Sequence, residues 1–204
     1  MNTTKQSQNN IAYFMLPGFY EHFELYNSMY NLLKRYPQIK RENAEIYCYY
    51  GNIHFCSWDG GRIFHKYYPA TLEKMKEIQH FYNNTINSKV RFVFTNNLLK
   101  EEHLHDRYNN ICLQVFDNEQ NEIVLNSKIL EEYIINNYPK YKLIASTTKC
   151  SNQEQTKNDL NNNNYIFTCL DYNLNHNWTF LNSLTPEERS KTEFLVNPIC
   201  GPGC

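Results

Sequence analysis

Short β-rich runs alternate with longer helical patterns along the whole chain, and this alternation limits the fold more than any other feature. Apolar or β-branched runs fall at residues 12–16, 45–50, 90–94, 122–125, 142–145, 165–170 and 193–196. Between them lie segments with apolar residues at helical spacing, as in 21–35, where Phe23, Leu25, Tyr26, Met29, Tyr30 and Leu33 share one face. Pro69-Ala70-Thr71 opens a second helix reaching about Tyr82, Asn97 begins a third that runs to about Phe116, and Asn126-Ser127 caps a fourth over 128–137. A weaker helical pattern covers 177–189, and the Asn-rich stretch before residue 165 reads as a connection. A hairpin is expected after the second strand, with arms at 54–57 and 62–64 and a turn at Trp58-Asp59-Gly60-Gly61.

Strands that alternate with helices build βαβ units and a parallel sheet. Seven such strands suit a TIM-type (β/α) barrel better than a doubly wound sheet, which has fewer strands and a Gly-rich first turn. The first turn here is Pro17-Gly18-Phe19. A complete barrel takes about 250 residues and eight strands, and the chain has 204 residues. The expectation is therefore an α/β fold of one barrel domain over 11–204, open or truncated at its carboxyl end, behind a disordered segment 1–10.

Composition narrows the partners. The 20 basic and 21 acidic residues are interspersed and the formal net charge is -1, so neither duplex DNA nor a membrane surface is expected. The polar start lacks the apolar core of a signal peptide, and no stretch approaches the length of a membrane span, so the expected location is cytoplasmic. Cysteines number seven, and Cys48, Cys112 and Cys169 sit inside apolar patterns, which argues against a disulfide framework.

In parallel barrels the reactive face lies at the carboxyl ends of the strands, so the residues that follow each strand are the candidates. Those positions hold Glu21 and His22, then Asn52, Asp59 and Arg62, then Asn96, then Asn126. The fifth strand is followed by Thr147, Lys149 and Cys150, the sixth by Asp171, Asn173 and His176, and the seventh by Asn197, Cys200 and Cys204. Turn-making and helix capping account for many Asn, Ser, Thr and Asp residues at such places. Asp171, His176 and Lys149 are the candidate catalytic groups, and Asn96, Thr147, Asn173 and Arg62 the candidate substrate contacts.

Cys200-Gly201-Pro202-Gly203-Cys204 places two thiols on one turn behind the seventh strand. Paired thiolates at short spacing serve zinc or iron-sulfur sites, and Cys150, after the fifth strand, is the candidate third ligand. A radical S-adenosylmethionine enzyme would need cysteines after the first strand, where there are none. Cys150 with His176, helped by Lys149, would suit a thiol nucleophile and its base. His103 and His105 stand two apart and diverge on a helix, which reads as a solvated helix start.

Taken in order, several of these segments resemble the collagenase-like peptidase family of (β/α) barrels. The likeness rests on Leu16-Pro17-Gly18, on Ala44-Glu45-Ile46-Tyr47 with Gly51 and Asp59-Gly60-Gly61-Arg62, on Val93-Phe94-Thr95-Asn96-Asn97, on Ile144-Ala145-Ser146-Thr147-Thr148, and on Leu195-Val196-Asn197 before Cys200 and Cys204. That resemblance implies a four-thiolate 4Fe-4S cluster and an enzyme acting on a small molecule, peptide or RNA, since the family includes iron-sulfur hydroxylases as well as proposed peptidases. The chain departs from the family in having only three residues between these two cysteines and in lacking the later cysteine pair. Two other readings remain: a non-catalytic binding domain with a zinc or empty thiol site, and a cysteine peptidase-like hydrolase.

Overall fold

The structure, a computed structural model, describes residues 11–60, 68–149 and 152–195. Its seven strands are β1 (Ala12–Pro17), β2 (Ala44–Gly51), β3 (Lys89–Phe94), β4 (Glu122–Leu125), β5 (Lys142–Ala145), β6 (Tyr165–Cys169) and β7 (Thr192–Glu193). They form one sheet in the order β1-β2-β3-β4-β5-β6-β7, and every neighbouring pair is parallel. The strand order never reverses, so the crevice of a doubly wound sheet does not arise.

Helices fill the crossovers: α1 (Phe23–Arg35), α2 (Leu72–Gln79) running into a π-helical turn (His80–Thr85), α3 (Glu101–Leu104), α4 (Arg107–Val115), α5 (Lys128–Asn137), α6 (Gln153–Leu160), α7 (Trp178–Ser183) and α8 (Pro186–Ser190). Thr71 caps α2 by accepting from the Lys74 amide, as its position implies. Among the described residues no helix is long and apolar enough to cross a membrane.

Charged residues reveal how the sheet bends. Arg91 Nη1 on β3 lies 2.7 Å from Glu193 Oε2 on β7, although strands four places apart in a flat sheet stand about 19 Å apart. The rings of Tyr47 on β2 and Phe167 on β6 also meet, with centroids 5.7 Å apart. The sheet is thus curled into a half-barrel whose opposite walls touch through their side chains.

Two layers follow from this curl. Val90, Phe92 and Phe94 alternate with Lys89, Arg91 and Val93 along β3, and the first set joins the helix-side core with Ile123, Leu125, Leu143 and Ala145. Val93, Val124 and Ile144 pack on the concave side with Tyr50, Ile166 and Phe167. Burial on both faces explains why the strands read as nearly continuous apolar runs.

A polar layer lies beside the concave apolar one. Arg91 binds Glu122 Oε2 through Nε at 2.9 Å and Nη2 at 2.7 Å, and Lys89 Nζ reaches Glu122 Oε1 at 3.0 Å. Tyr47 donates its hydroxyl to the same carboxylate at 2.8 Å. Phe14 pairs with Ile46 and Met15 with Cys48, so Tyr47 is the extra residue of a bulge. Burial works against the Arg91 charge, but the surrounding acidic groups, Glu193 and Glu122 among them, outweigh it and raise its pKa.

Several expectations need correction. Residues 54–57 form turns rather than a hairpin arm, because Ile53 and His54 are buried in succession and Trp58 drops into the helix-side core; the other arm, 62–64, lies outside the described residues. The helix expected from Asn97 splits into α3 and α4, since Asp106 starts a new cap by accepting from the Asn109 amide at 2.8 Å. The 177–189 pattern splits at Thr185, which forms a capping box with Glu188. The Asn-rich connection contains α6. Residues 1–10 lie outside the described set.

Candidate functional site at the carboxyl ends of the strands

The loops that follow β1 and β2 are pressed together. Gly18 has φ +71° and Gly51 φ +148°; a Cβ on Gly18 would come within 2.6 Å of the His22 ring, and one on Gly51 within 3.3 Å of the Gly18 backbone. Only glycine suits that approach. Gly60 plays a similar part, because a side chain there would strike Thr95 at the end of β3. Asn52 holds the β2 loop down by donating to the Val93 carbonyl at 2.6 Å and accepting from the Val93 amide at 2.9 Å.

This packing brings Glu21 and His54 together. His54 Nε2 lies 2.5 Å from Glu21 Oε2; the histidine side chain is 1% exposed and the carboxylate side chain 26%. The Tyr20 ring stands edge-on to the imidazole at a centroid distance of 4.7 Å. Phe55, next in the chain, adopts a left-handed φ of +65°, a conformation that costs about 1–3 kcal/mol in a residue with a side chain. The pair therefore sits half in the protein and half at the mouth, where a buried imidazole can orient a carboxylate.

The structure gives the surroundings of the site residues expected from sequence. Asn96 donates to the Ser57 carbonyl and accepts from the Leu98 amide, each at 2.9 Å. Thr147 donates to the Leu170 carbonyl at 2.8 Å, and Asp171 accepts from the Asn173 amide at 2.8 Å as the cap of the turn Tyr172–Leu174. These three side chains hold the backbone of the edge in shape. Asn173 and His176 are exposed.

Lys149 turns toward the helix layer, where its ammonium meets Glu131 of α5 at 3.1 Å, Asp159 of α6 at 3.9 Å and the Tyr165 hydroxyl. Burial alone would raise the Glu131 carboxyl, yet hydrogen bonds from Tyr165 and the Lys149 charge prevail and lower it. No hydrogen bond or ion pair among the described residues joins Asp171, His176 and Lys149. Arg62, Cys150, Cys200 and Cys204 lie outside the described residues.

Cys48, Cys56, Cys112 and Cys169 are free thiols. Burial pushes Cys48, Cys112 and Cys169 up to about 12 and Cys56 well above its ordinary value. All four are held protonated at neutral pH, which disfavours them as nucleophiles. The expected result of treating native protein with a maleimide near pH 7, followed by peptide mass spectrometry, is no label at buried Cys48, Cys56 and Cys112 and full labelling after denaturation. Rapid native labelling of Cys48 or Cys112 would contradict the burial argument.

No group of three or more His, Cys, Asp or Glu able to hold a metal occurs among the described residues. His103 is exposed, its Nδ1 accepting the Lys100 amide at 2.9 Å, and exposed His105 stands edge-on to Tyr133. Glu21 is one of the strand-end groups expected from the sequence, whereas His54 was expected inside a hairpin arm. The available signal was Gly51-Asn52, a turn that starts a loop immediately and puts His54 near the strand end. No family model, curated protein or solved structure matches this chain.

Proposed function

We propose that this chain is a TIM-type barrel enzyme working at the carboxyl edge of its strands, of the iron-sulfur kind implied by the resemblance to collagenase-like peptidases. Its substrate would be a small molecule, peptide or RNA. The observation that supports this reading most is the consecutive, all-parallel, curled sheet, because it gathers Pro17-Gly18, Asp59-Gly60, Thr95-Asn96 and Ser146-Thr147 onto one edge.

The thiol turn is compatible with that edge. Leu195 accepts a hydrogen bond from Asn175 Nδ2 at 2.9 Å, so the chain leaves β7 beside the loop that follows β6. Since Cys48, Cys56 and Cys112 are buried and the raised pKa of half-buried Cys169 holds it protonated, Cys200 and Cys204, with Cys150, would be the protein's donors to a cluster. A bound cluster would supply one-electron chemistry or a Lewis-acidic iron.

Anaerobic expression with iron and acid-labile sulfide measured per chain tests the reading. Both are expected to be present and to be lost in Cys200→Ser/Cys204→Ser; a colourless, iron-free protein would contradict it. A second reading, a binding domain with no reaction of its own, is favoured by the engagement of Asn52, Asn96, Thr147 and Asp171 with backbone. It requires that the same double substitution leave ligand binding unchanged.

A further inference from the structure

We propose that Glu21 and His54 form a proton-transfer site at the mouth of the half-barrel. Glu21 is the catalytic carboxylate, which takes a proton from a bound small molecule or returns one, and His54 is its positioning residue. Three observations converge on this assignment.

The pair lies at the reactive edge, three to four residues beyond the ends of β1 and β2. It is also asymmetric. His54 is sealed in while Glu21 keeps solvent contact, and the second carboxylate oxygen, Oε1, makes no hydrogen bond among the described residues. That oxygen is the one available to a ligand.

The third observation separates a functional pair from a structural clip. The two loops are already fixed without it: the Gly18 amide donates to the Tyr50 carbonyl at 2.6 Å, Tyr82 donates to the Phe19 carbonyl at 2.8 Å, and Asn52 binds both backbone groups of Val93. Burying an ionisable pair carries a desolvation cost that such fixation does not require. A left-handed backbone at Phe55, directly after His54, adds local strain of the kind found at functional sites. Tyr20 edge-on to the imidazole and half-exposed Phe55 give the mouth an aromatic lining, which favours a planar or apolar-bodied ligand with one acidic proton.

The probe is 5-nitrobenzisoxazole, a planar molecule whose opening needs a single base. Its ring C–H proton passes to the Glu21 carboxylate, the released electron pair becomes the third bond of a nitrile, and the N–O bond breaks to leave a phenolate, read by its absorbance. The full chain should turn over the probe faster than an equal concentration of free acetate. Glu21→Gln should lower that rate by about tenfold or more. His54→Gln should lower kcat by about three- to tenfold with little change in KM, the mark of lost positioning.

Exposed Glu45→Gln should leave the rate unchanged. A wild-type rate no greater than that of acetate, or a Glu21→Gln rate equal to wild type, would overturn the assignment. If Glu21→Gln fails to fold, amide shifts of wild-type protein with the inert analogue 5-nitroindole decide the matter. Shifts at residues 20–22 and 53–55 support the site; shifts confined elsewhere, or none, overturn it. The outcome is independent of the iron measurement, since the pair needs no cluster.

Discussion

Arg91→Met is expected to destabilise the folded chain by about 3–5 kcal/mol, the range for removing one partner of a buried ion pair. The guanidinium is clamped between Glu122 and Glu193, both carboxylates being buried. Methionine fills similar space but leaves Glu193 without its cation, while Glu122 retains Lys89 and the Tyr47 hydroxyl. The loss should therefore fall mainly on β7, which is only two residues long and, among the described residues, pairs with β6 alone. Amide exchange in β6 and β7 should accelerate more than in β3 and β4, and urea denaturation followed by circular dichroism gives the global value.

The charges themselves are not what makes the fold stable. Replacing Arg91, Glu122 and Glu193 together by apolar residues of similar volume should restore most of the loss, because buried ion pairs are commonly near neutral against well-packed hydrophobes. A triple apolar variant as unstable as Arg91→Met would show that the network contributes more than its own mutual satisfaction.

The second large effect is expected at Trp58, where Trp58→Ala should cost about 3–5 kcal/mol. Its fully buried ring stands edge-on to Phe94 at 5.4 Å and to Tyr133 of α5 at 6.0 Å, and Nε1 donates to the His103 carbonyl at 2.8 Å. One side chain thus joins the β2 loop, the end of β3, α3 and α5. Trp58→Phe keeps much of the packing but leaves the His103 carbonyl without that donor, so a smaller loss of about 1–3 kcal/mol is expected. Because the Trp58 carbonyl and the Ser57 carbonyl also anchor Asn96, exchange at residues 95–98 should rise in Trp58→Ala. Denaturant midpoints unchanged from wild type would refute the packing role.

How far the chain announced this arrangement varies by element. β4 and β5 were legible with their observed bounds, since Ile123-Val124-Leu125 and Leu143-Ile144-Ala145, packed on two faces, leave uninterrupted apolar runs. The helix α6 was hidden because its buried face is Thr156, Asp159 and Leu160, two of them polar: Thr156 donates to the Asn152 carbonyl at the helix's own start, and Asp159 accepts from Gln155 and faces Lys149. The hairpin was misread for a related reason: alternation after Gly51 imitates a strand, whereas Trp58 finds its place only once α3 and α5 are present.

The interior layer was equally hidden. Arg91, Glu122 and Glu193 look like solvent-facing members of half-buried strands until curling sets β7 against β3. The site shares this limit. Glu21 follows β1 and was visible as a strand-end carboxylate, but its partner comes from another loop, and no periodicity encodes a meeting of that kind. Asn96, Thr147 and Asp171 show the converse, because strand ends need side chains that hold backbone as well as side chains that meet ligands.

A double-mutant cycle between Arg91 and Glu193 tests the curled half-barrel most directly. Arg91→Met, Glu193→Gln and the double variant would each be unfolded in urea beside wild type. The structure predicts a coupling of about 1–3 kcal/mol, as for residues in direct contact. Additivity within about 0.5 kcal/mol, as for side chains more than about 10 Å apart, would contradict it and with it the gathering of the strand ends around one mouth.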